Sequence, residues 1–438
     1  MTRPAPRGRR RADRPRTLAY RILRSVFVEG AYANLELNRR LVGFDARDAA
    51  FVTALVDGTC RQAGVYDRVI ETVRPLDKLE PEVLTALRLI AHQALAMRVP
   101  ASAAVDTGVA VAASEIGERV AGLVNAVGRR LAAKTLDQWL DELSQGLSER
   151  EEMALRTGHP AWIVDAWAER LPDGELAVAL EADNQPARPV LAVRPGLLDA
   201  AALPDAEPAR FSPFGAYPSK PPGEYEAVAR GLAGVQDEGS QLVAWALTRP
   251  DAPAGPWLDL CAGPGGKTAL LAGLRGGRAL VAAEARQHRA ELVAEAVRAY
   301  REQPTVVVAD GRRPAWRPGV FARVLADVPC TGLGALRRRP DSRWRKSPAD
   351  VDGLAQLQRQ LLAAAVASAK PGGVVAYTTC SPHRRETVEV VGSCEGVEVL
   401  EAPDYLPQVP DCADGPFVQL WPHRHGTDAM FLALLRKL

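Results

Sequence analysis

Two cysteines in the C-terminal half of the chain, Cys330 and Cys380, lie in contexts that suit covalent chemistry. Cys330 is part of Asp327-Val-Pro-Cys-Thr-Gly, Cys380 is part of Tyr-Thr-Thr-Cys-Ser, and each follows a predicted strand. Carbon 5 of cytosine is a poor nucleophile, so it accepts a methyl group only after a thiolate has added to carbon 6. A proton must then leave carbon 5 so that the cysteine can depart. Two thiols and the Asp327 carboxylate suit these steps, although a single buried cysteine is more often a small hydrophobic residue.

A reactive cysteine needs positive charge nearby, because a free thiol titrates near pH ~8.5. His383, Arg384 and Arg385 follow Cys380 closely and are the expected source of that charge. Spacing and composition do not decide which of the two thiols is the nucleophile.

The stretch from Trp257 to Thr268, WLDLCAGPGGKT, has the pattern of a buried strand followed by a glycine-rich loop. It is not a phosphate-binding P-loop, because Cys261 stands where the first glycine is required. A dinucleotide fingerprint also fits poorly, because Thr268 occupies its third glycine position. An S-adenosylmethionine loop remains, and it should be followed by a second strand that ends in an acidic residue. Glu284 ends such a strand, about 20 positions after Gly263.

From Trp257 onward strands and helices alternate, which predicts an α/β domain with a mostly parallel, doubly wound sheet. Ligands bind at the carboxyl ends of the strands in such sheets. The predicted strand ends carry polar residues: Asp259, Glu284, Asp310, Asp327 and the segment 378–380. The C-terminus is predicted to form a hairpin of residues 417–420 and 430–435.

A chain of 438 residues is too long to fold around one compact core. We expect four parts: a basic arm (1–16), an all-α domain (17–139), a small α+β connecting segment (140–235) and the α/β domain (236–438). Thr17 is the predicted N-cap of the first helix. The arm is expected to be disordered, and either contacts RNA phosphates or has no role. Six cysteines without a C-x-x-C pair and six scattered histidines predict a reducing cytoplasm and no metal site. No membrane span is expected.

A basic strip follows Cys330, in the segment LRRRPDSRWRK at residues 336–346. Six cations flank one indole ring, which is the composition of a surface that binds RNA phosphates and stacks on a base. A solvated charge run is the usual alternative. Because the strip borders the predicted site, RNA contact is favoured for Arg337, Arg338, Arg339, Arg343, Trp344, Arg345 and Lys346.

Four segments, DLCAGPGGKT, ADVPCTGLGALRRRPDSRW, YTTCSPHRRE and QLWPHRHGTDAMFLALLRK, resemble the RsmB/Sun (Fmu) family of ribosomal RNA 5-cytosine methyltransferases. RTLAYRIL and GLVNAVGRRL are similar to the NusB-like RNA-binding domain of that family. The resemblance implies that Cys380 is the nucleophile and that Cys330 assists product release. It also implies S-adenosylmethionine as the cofactor, bound by Cys261, Ala262, Gly263, Pro264, Gly265, Gly266, Lys267, Glu284, Asp310 and Asp327. Glu284 stands where many relatives carry Asp, which keeps the carboxylate.

The favoured hypothesis is therefore a monomeric methyltransferase that modifies a cytosine of ribosomal RNA, with small-subunit RNA as the implied substrate. One alternative is an RNA-binding protein whose methyltransferase domain is inactive. Another is a methyltransferase of the same fold that acts on another RNA, on a protein or on a small molecule.

Overall fold

The computed structural model describes residues 12–172 and 174–438, which divide into two compact units. The first unit contains the described residues up to Asp165 together with Arg338–Lys346. The second contains the described residues of Ala166–Arg337 together with Ser347–Leu438. Residues 1–11, which hold most of the predicted basic arm, lie outside the described residues.

The first unit is helical, which confirms the predicted all-α N-terminal domain. Its helices are α1 (Arg14–Phe27), α2 (Ala33–Arg40), α3 (Ala46–Arg61), α4 (Ala63–Val73), α5 (Pro81–Leu95), α6 (Ala101–Glu115), α7 (Glu118–Leu131), α8 (Leu136–Leu143) and α9 (Glu149–Thr157). α10 (Ala161–Ala168) follows at the boundary of the unit. The apolar residues that recur every three to four positions form one core, with Leu23, Leu55 and Leu87 fully buried.

The first helix begins four residues before the predicted position. Asp13, not Thr17, is the N-cap, and its carboxylate accepts a hydrogen bond from the backbone N–H of Arg16. Pro15 lies in the first turn, where its missing N–H costs nothing. The Thr17 hydroxyl donates to the carbonyl of Asp13 instead. The last residues of the predicted basic arm are therefore helical.

The first unit also extends beyond the predicted boundary at residue 139. That boundary falls inside α8, and Leu140 packs with Leu155 of α9 and Val65 of α4. Shared apolar burial thus assigns the start of the predicted connecting segment to the helical unit.

The second unit begins with α11 (Glu175–Asn184) and a small antiparallel sheet. The strands of this sheet are β1 (Leu191–Val193), β2 (Ala206–Pro208), β3 (Gly215–Pro218) and β4 (Ala233–Val235), in the order β2-β3-β1-β4. A short helix, α12 (Glu226–Ala229), precedes β4. The α+β character predicted for this part of the chain is present.

A large sheet and its flanking helices form the rest of the second unit. The strands are β5 (Trp257–Asp259), β6 (Leu280–Glu284), β7 (Thr305–Val308), β8 (Phe321–Asp327), β9 (Ala369–Thr379), β10 (Val397–Leu400), β11 (Ala413–Asp414), β12 (Phe417–Gln419) and β13 (Phe431–Lys437). The helices are α13 (Glu238–Ala246), α14 (Gly266–Leu274), α15 (Gln287–Ala296), α16 (Pro348–Ser368), α17 (Val388–Gly392) and α18 (Pro422–His425).

The strand order is β11-β12-β13-β9-β8-β5-β6-β7, with β10 paired to β13. The strands from β9 to β7 in this order are parallel, and β13 pairs antiparallel to β9 and to β12. The predicted doubly wound, mostly parallel sheet and the C-terminal hairpin are confirmed. The chain runs outward from β5 to β7 and then returns to β8 on the other side of β5. Ligands bind at such a reversal of strand order, beyond the carboxyl ends of the strands.

Alternate residues of each central strand enter different cores, as the two-residue period of a strand requires. In β9, Val374 and Ala376 pack on the face that contains α13 and α14, whereas Val375 and Tyr377 pack on the face that contains α16. Both faces of the sheet are therefore covered by helices. No helix in the described part of the chain is long and apolar enough to cross a membrane.

Candidate active site

The loop between β5 and α14 packs so closely on its neighbours that two of its positions require glycine. A Cβ atom on Gly263 would lie 2.2 Å from Oε2 of Glu284. Gly265 has φ +106°, and a Cβ atom there would lie 2.6 Å from Cβ of Ala296. α14 begins at Gly266 without a side-chain cap, so its first N–H groups can bind a polar ligand. This glycine cradle fits the predicted cofactor loop.

Glu284 ends β6 and is held against that loop. Its Oε2 accepts a hydrogen bond from the N–H of Gly263 at 3.1 Å, and its Oε1 accepts one from the N–H of Arg286 at 3.0 Å. Arg289 Nε lies 3.3 Å from the same Oε2. A carboxylate has about four acceptor positions, so Glu284 retains capacity for two ribose hydroxyls.

The side chains of other predicted loop residues are either packed on the sheet or exposed. The Cys261 side chain packs against the core beside α16, and burial raises its pKa. Ala262 is buried between β6 and α15, whereas Pro264 is exposed. The side chains of Cys261 and Ala262 therefore hold the loop to the sheet.

Lys267 joins the start of α14 to the end of β8. Its Nζ lies 2.7 Å from Oδ2 of Asp327 and also donates to Oγ of Ser240 at 3.2 Å. Burial lowers the pKa of Lys267, but the Asp327 carboxylate more than offsets this effect and the pKa is raised. The ammonium group is thus kept charged beside the edge of the sheet where the cysteines lie.

Asp259 and Thr268 form a second link between β5 and α14. The Thr268 hydroxyl donates to Oδ2 of Asp259 at 2.6 Å, and both side chains are buried. Burial raises the pKa of Asp259 to about 7, although the bond from Thr268 opposes the shift. Sequence reasoning placed Asp259 at a strand end but did not predict this partner.

Asp310 lies just beyond β7 and is partly exposed. Its carboxylate is paired with Arg312, whose Nη2 lies 2.6 Å from Oδ2. Hydrogen bonds from this guanidinium hold the pKa of Asp310 at about 2. In this arrangement Asp310 faces a cation of its own loop, so a cofactor that binds there competes with Arg312.

The two cysteines meet at the carboxyl end of the sheet. Cys330 Sγ lies 3.3 Å from Cys380 Sγ, and each side chain is half-buried. The hydrogen bond to Cys380, together with burial and the charge of Glu386, raises the pKa of the Cys330 thiol well above its usual range. Both sulfurs are therefore close enough to act on one base, and Cys330 is protonated at neutral pH.

The residues predicted to supply positive charge to Cys380 have interactions of their own. Arg385 pairs with Asp352, and Arg384 lies 3.9 Å from Glu389. Burial lowers the pKa of His383, which favours its neutral form. A cation that does interact with Cys380 is Lys267, whose pKa is raised by the thiolate.

Glu386 is a site residue that sequence reasoning missed. It is fully buried, and its carboxylate accepts hydrogen bonds from Thr331, Ser381 and Gln358, two of which adjoin the cysteines. A signal was available for Gln358, which continues the apolar face of α16 formed by Val351, Ala355 and Leu362. A polar residue on a buried helix face needs a polar partner.

The basic strip does not form one exposed surface. Arg338–Lys346 belongs to the first unit, where Pro340–Trp344 forms a 3-10 turn. Arg343 is completely buried and donates to the carbonyl of Gly158 at 2.9 Å. The Trp344 indole donates to the carbonyl of Arg61 at 3.1 Å and covers Gly64 so closely that a Cβ there would lie 2.1 Å from the ring.

Further cations of the strip also bond within their own unit. Arg345 donates to the carbonyls of Gly30 and Ala31, and Arg337, in the second unit, donates to the carbonyl of Gly426. Arg343 and Arg337 are buried, and the ring of the half-buried Trp344 is packed on Gly64, which argues against the predicted RNA contacts of these three residues. Arg339 is exposed, and Arg338 and Lys346 are half-buried, so RNA contact stays a prediction for these three.

The described residues contain no group of three or more His, Cys, Asp or Glu side chains that could hold a metal ion.

Comparisons with known proteins agree with this geometry. The profile of the family described as 16S rRNA methyltransferase RsmB/F matches residues 246–436, and that of the NusB family matches residues 13–133. The ribosomal RNA small subunit methyltransferase B of Xanthomonas campestris pv. campestris is 31% identical, over 96% of this chain and 97% of that protein. The chain belongs to the RsmB/F methyltransferase family. The RsmB/F chain is also 47% identical to "Putative methyltransferase Rv1407" of Mycobacterium tuberculosis, over 99% of each protein.

A solved structure shows the same fold. The crystal structure of PH0851 superposes on the RsmB/F chain with a TM-score of 0.80 at 22% identity, covering 97% of this chain and 99% of the other. Family membership confirms the predicted methyltransferase class, the NusB-like domain and S-adenosylmethionine as the cofactor.

Proposed function

We propose that this RsmB/F methyltransferase methylates carbon 5 of a cytosine in small-subunit ribosomal RNA through a covalent cysteine adduct. The observation that carries the proposal is the pair of sulfur atoms, 3.3 Å apart, at the carboxyl end of the sheet beside the cofactor loop. The family description and the names of relatives such as the Xanthomonas protein support ribosomal RNA as the substrate. The reaction then takes place in the cytoplasm, where ribosomal subunits are assembled.

Cys380 is the nucleophile in this proposal. Lys267 favours its thiolate, which adds to carbon 6 of the cytosine so that the electron pair of the 5,6 double bond moves to carbon 5. S-adenosylmethionine supplies the electrophilic methyl group to carbon 5. The Gly263–Gly266 loop and Glu284 are positioned to hold that cofactor, with the α14 N–H groups on one side and the carboxylate on the other.

Cys330 acts in the second half of the reaction. The largest cause of its raised pKa is the hydrogen bond with Cys380. When Cys380 is bonded to the base as a thioether it is uncharged, and ionisation of Cys330 becomes easier. Cys330 can then lose its proton to water and, as the thiolate, take the proton from carbon 5. The 5,6 double bond re-forms, and Cys380 leaves as the thiolate.

The test compares single variants of the full chain, using small-subunit ribosomal RNA and labelled S-adenosylmethionine. The wild-type protein should produce 5-methylcytosine, mapped by bisulfite sequencing. Cys380→Ala should give neither product nor adduct. Cys330→Ala should accumulate a protein–RNA adduct that survives denaturing electrophoresis and disappears on nuclease treatment.

Cys412→Ala is a matched control, since this buried cysteine lies in the apolar core and should leave the reaction unchanged. An adduct in Cys380→Ala but not in Cys330→Ala would reverse the two roles. Methylation by both variants would refute the covalent mechanism, and wild-type labelling of a different RNA or of a protein would refute the substrate assignment. No transfer to any substrate, with RNA still bound, would favour the alternative of an inactive RNA-binding protein.

A further inference from the structure

Glu386 is a carboxylate buried beneath the two cysteines, with no exposed surface. Its Oε1 accepts hydrogen bonds from the N–H of Thr331 at 2.8 Å and from Nε2 of Gln358 at 3.0 Å. Its Oε2 accepts from the hydroxyl of Ser381 at 2.6 Å and from the hydroxyl of Thr331. Burying a carboxylate is costly unless it is fully hydrogen-bonded, and this one meets that requirement.

Two of the hydrogen-bond partners of Glu386, Thr331 and Ser381, adjoin the proposed catalytic cysteines. Thr331 follows Cys330, and Ser381 follows Cys380. The hydroxyls of Thr331 and Ser381 also lie 3.2 Å apart. One carboxylate therefore binds both cysteine loops, which are 50 residues apart in sequence.

Gln358 extends this network to the other side of Cys330. Its Nε2 donates to the carbonyl of Pro329 at 2.8 Å as well as to Glu386. The backbone is thus held both before and after Cys330. A second direct link between the loops is the bond from the N–H of Gly334 to the carbonyl of Cys380, at 2.8 Å.

We propose that Glu386 is a positioning residue that sets the spacing of the two thiols and places a negative charge beside Cys330. The inference rests on the proposed covalent mechanism and assigns Glu386 no contact with RNA or cofactor. The length of the Glu386 side chain suits the role in spacing, because the carboxylate reaches both cysteine loops at once. Its negative charge suits the electrostatic role beside Cys330.

The charged groups around Cys330 favour its thiol form. Those that interact with it electrostatically are Cys380, Glu386 and Tyr377. Glu386 contributes to the raised pKa of Cys330, after the bond to Cys380 and burial. The Lys267 ammonium interacts with Cys380. The negative charge of Glu386 favours the thiol form of Cys330, and the positive charge of Lys267 favours the thiolate form of Cys380.

Two substitutions of Glu386 separate the effect of its negative charge from the effect of its side-chain length. Glu386→Gln keeps the size of the side chain and one carbonyl acceptor, and its amide can donate to a hydroxyl that rotates, but the charge is lost. Glu386→Asp keeps the charge but is one methylene shorter, so it cannot reach both loops. Glu389→Gln is the matched control, because this carboxylate is exposed and lies three residues later.

The first measurement is methylation by the full chain under steady-state conditions. Glu386→Gln and Glu386→Asp should lower kcat roughly 10- to 100-fold, the effect of misplacing a reacting group, while KM for RNA and the Kd for S-adenosylmethionine stay within about twofold of wild type. Glu389→Gln should behave as wild type. Thermal unfolding verifies that each variant is folded.

The second measurement does not depend on methylation. In a Cys380→Ala background, the pH at which Cys330 is half-maximally alkylated by iodoacetamide should fall by about one unit in Glu386→Gln and much less in Glu386→Asp. Mass spectrometry of the Cys330 peptide gives this profile.

Unchanged kcat together with an unchanged alkylation profile in a folded Glu386→Gln variant would overturn the inference. Equal losses of kcat, cofactor affinity and thermal stability would also overturn it, because Glu386 would then only support the fold. If Glu386→Gln fails to fold, the same measurements are made on Glu386→Asp. They show whether the shorter side chain changes the spacing of the thiols or only the stability of the fold. If the wild type makes no 5-methylcytosine, the proposed function fails, while the alkylation profile still tests the placement of Glu386.

Discussion

Lys267 and Asp327 form an ion pair in which Nζ of the lysine lies 2.7 Å from Oδ2 of the carboxylate, at the point where the cofactor loop approaches the cysteines. The same ammonium group interacts with Cys380. Lys267 therefore connects the glycine-rich loop with the proposed nucleophile.

Replacing Lys267 with Met should make Cys380 less reactive. The substitution removes the cation and leaves the Asp327 carboxylate uncompensated, and both changes disfavour a thiolate. The pH of half-maximal alkylation of Cys380, followed by mass spectrometry, should rise by about one unit. Lys370→Met, at a half-buried lysine of β9 that donates to the carbonyl of Ala254, should leave the profile unchanged. An identical profile for Lys267→Met would remove Lys267 from this role.

Glu284→Ala should weaken the binding of S-adenosylmethionine by roughly 1.5–3 kcal/mol, the range for loss of hydrogen bonds to a charged group. Isothermal calorimetry measures the change. Glu291→Ala on the exposed side of α15 is the control and should bind normally. Wild-type affinity in Glu284→Ala would show that the carboxylate only supports Gly263.

Trp344→Ala should destabilise the first unit and not act on RNA directly. The variant loses the bond to the Arg61 carbonyl and leaves a cavity over Gly64, at a cost of roughly 2–4 kcal/mol. Urea unfolding of the full chain should show this loss, whereas the exposed Arg339→Ala should unfold as wild type. Equal stability of the Trp344 variant would contradict the packing described for this ring.

Arg339→Ala should change RNA binding. If its guanidinium contacts a phosphate, the slope of log affinity against log salt concentration should decrease by about one unit, with cofactor binding intact. Filter binding at several salt concentrations provides the slope. Arg301→Ala, another exposed arginine, is the control. An unaltered slope in Arg339→Ala would assign this residue to the solvated surface.

Asp259→Asn should alter how stability depends on pH. Asp259 has a pKa of about 7 in the folded protein and about 3.9 when unfolded, so the folded state binds the proton more tightly. Its contribution to stability is complete below pH ~4 and is lost as pH rises through ~7, on the order of a few kcal/mol. Asn does not titrate.

The Tm of Asp259→Asn relative to wild type should therefore be higher at pH 8 than at pH 5, measured by differential scanning fluorimetry. Asp251→Asn, at an exposed position, should show a constant difference. A relative Tm that is lower at pH 8 would show that the Asp259 carboxylate is stabilised in its charged form.

The sequence by itself determined the sheet and the place of the site. Strand and helix periods are local properties, and parallel strands bring their carboxyl ends to one edge, so Asp327, Glu284 and Cys380 were predicted together. The glycine-rich loop was predicted from the spacing of its residues, which excludes a phosphate-binding P-loop and a dinucleotide fingerprint. Thr17 was misassigned as a cap because Asp13 offers the same kind of side chain, and the structure places Asp13 at the helix start.

Only the tertiary structure decided which charges are available. A run of charged residues in the sequence does not show which other residues will pack on it. Arg343 donates to a carbonyl 185 positions earlier in the chain, and Trp344 donates to a carbonyl 283 positions earlier. A cation that interacts with Cys380, Lys267, comes from α14, more than 100 positions earlier in the chain. Glu386 meets Thr331 across 55 residues, a contact that no local pattern encodes, because burial of a carboxylate depends on partners brought together by the fold.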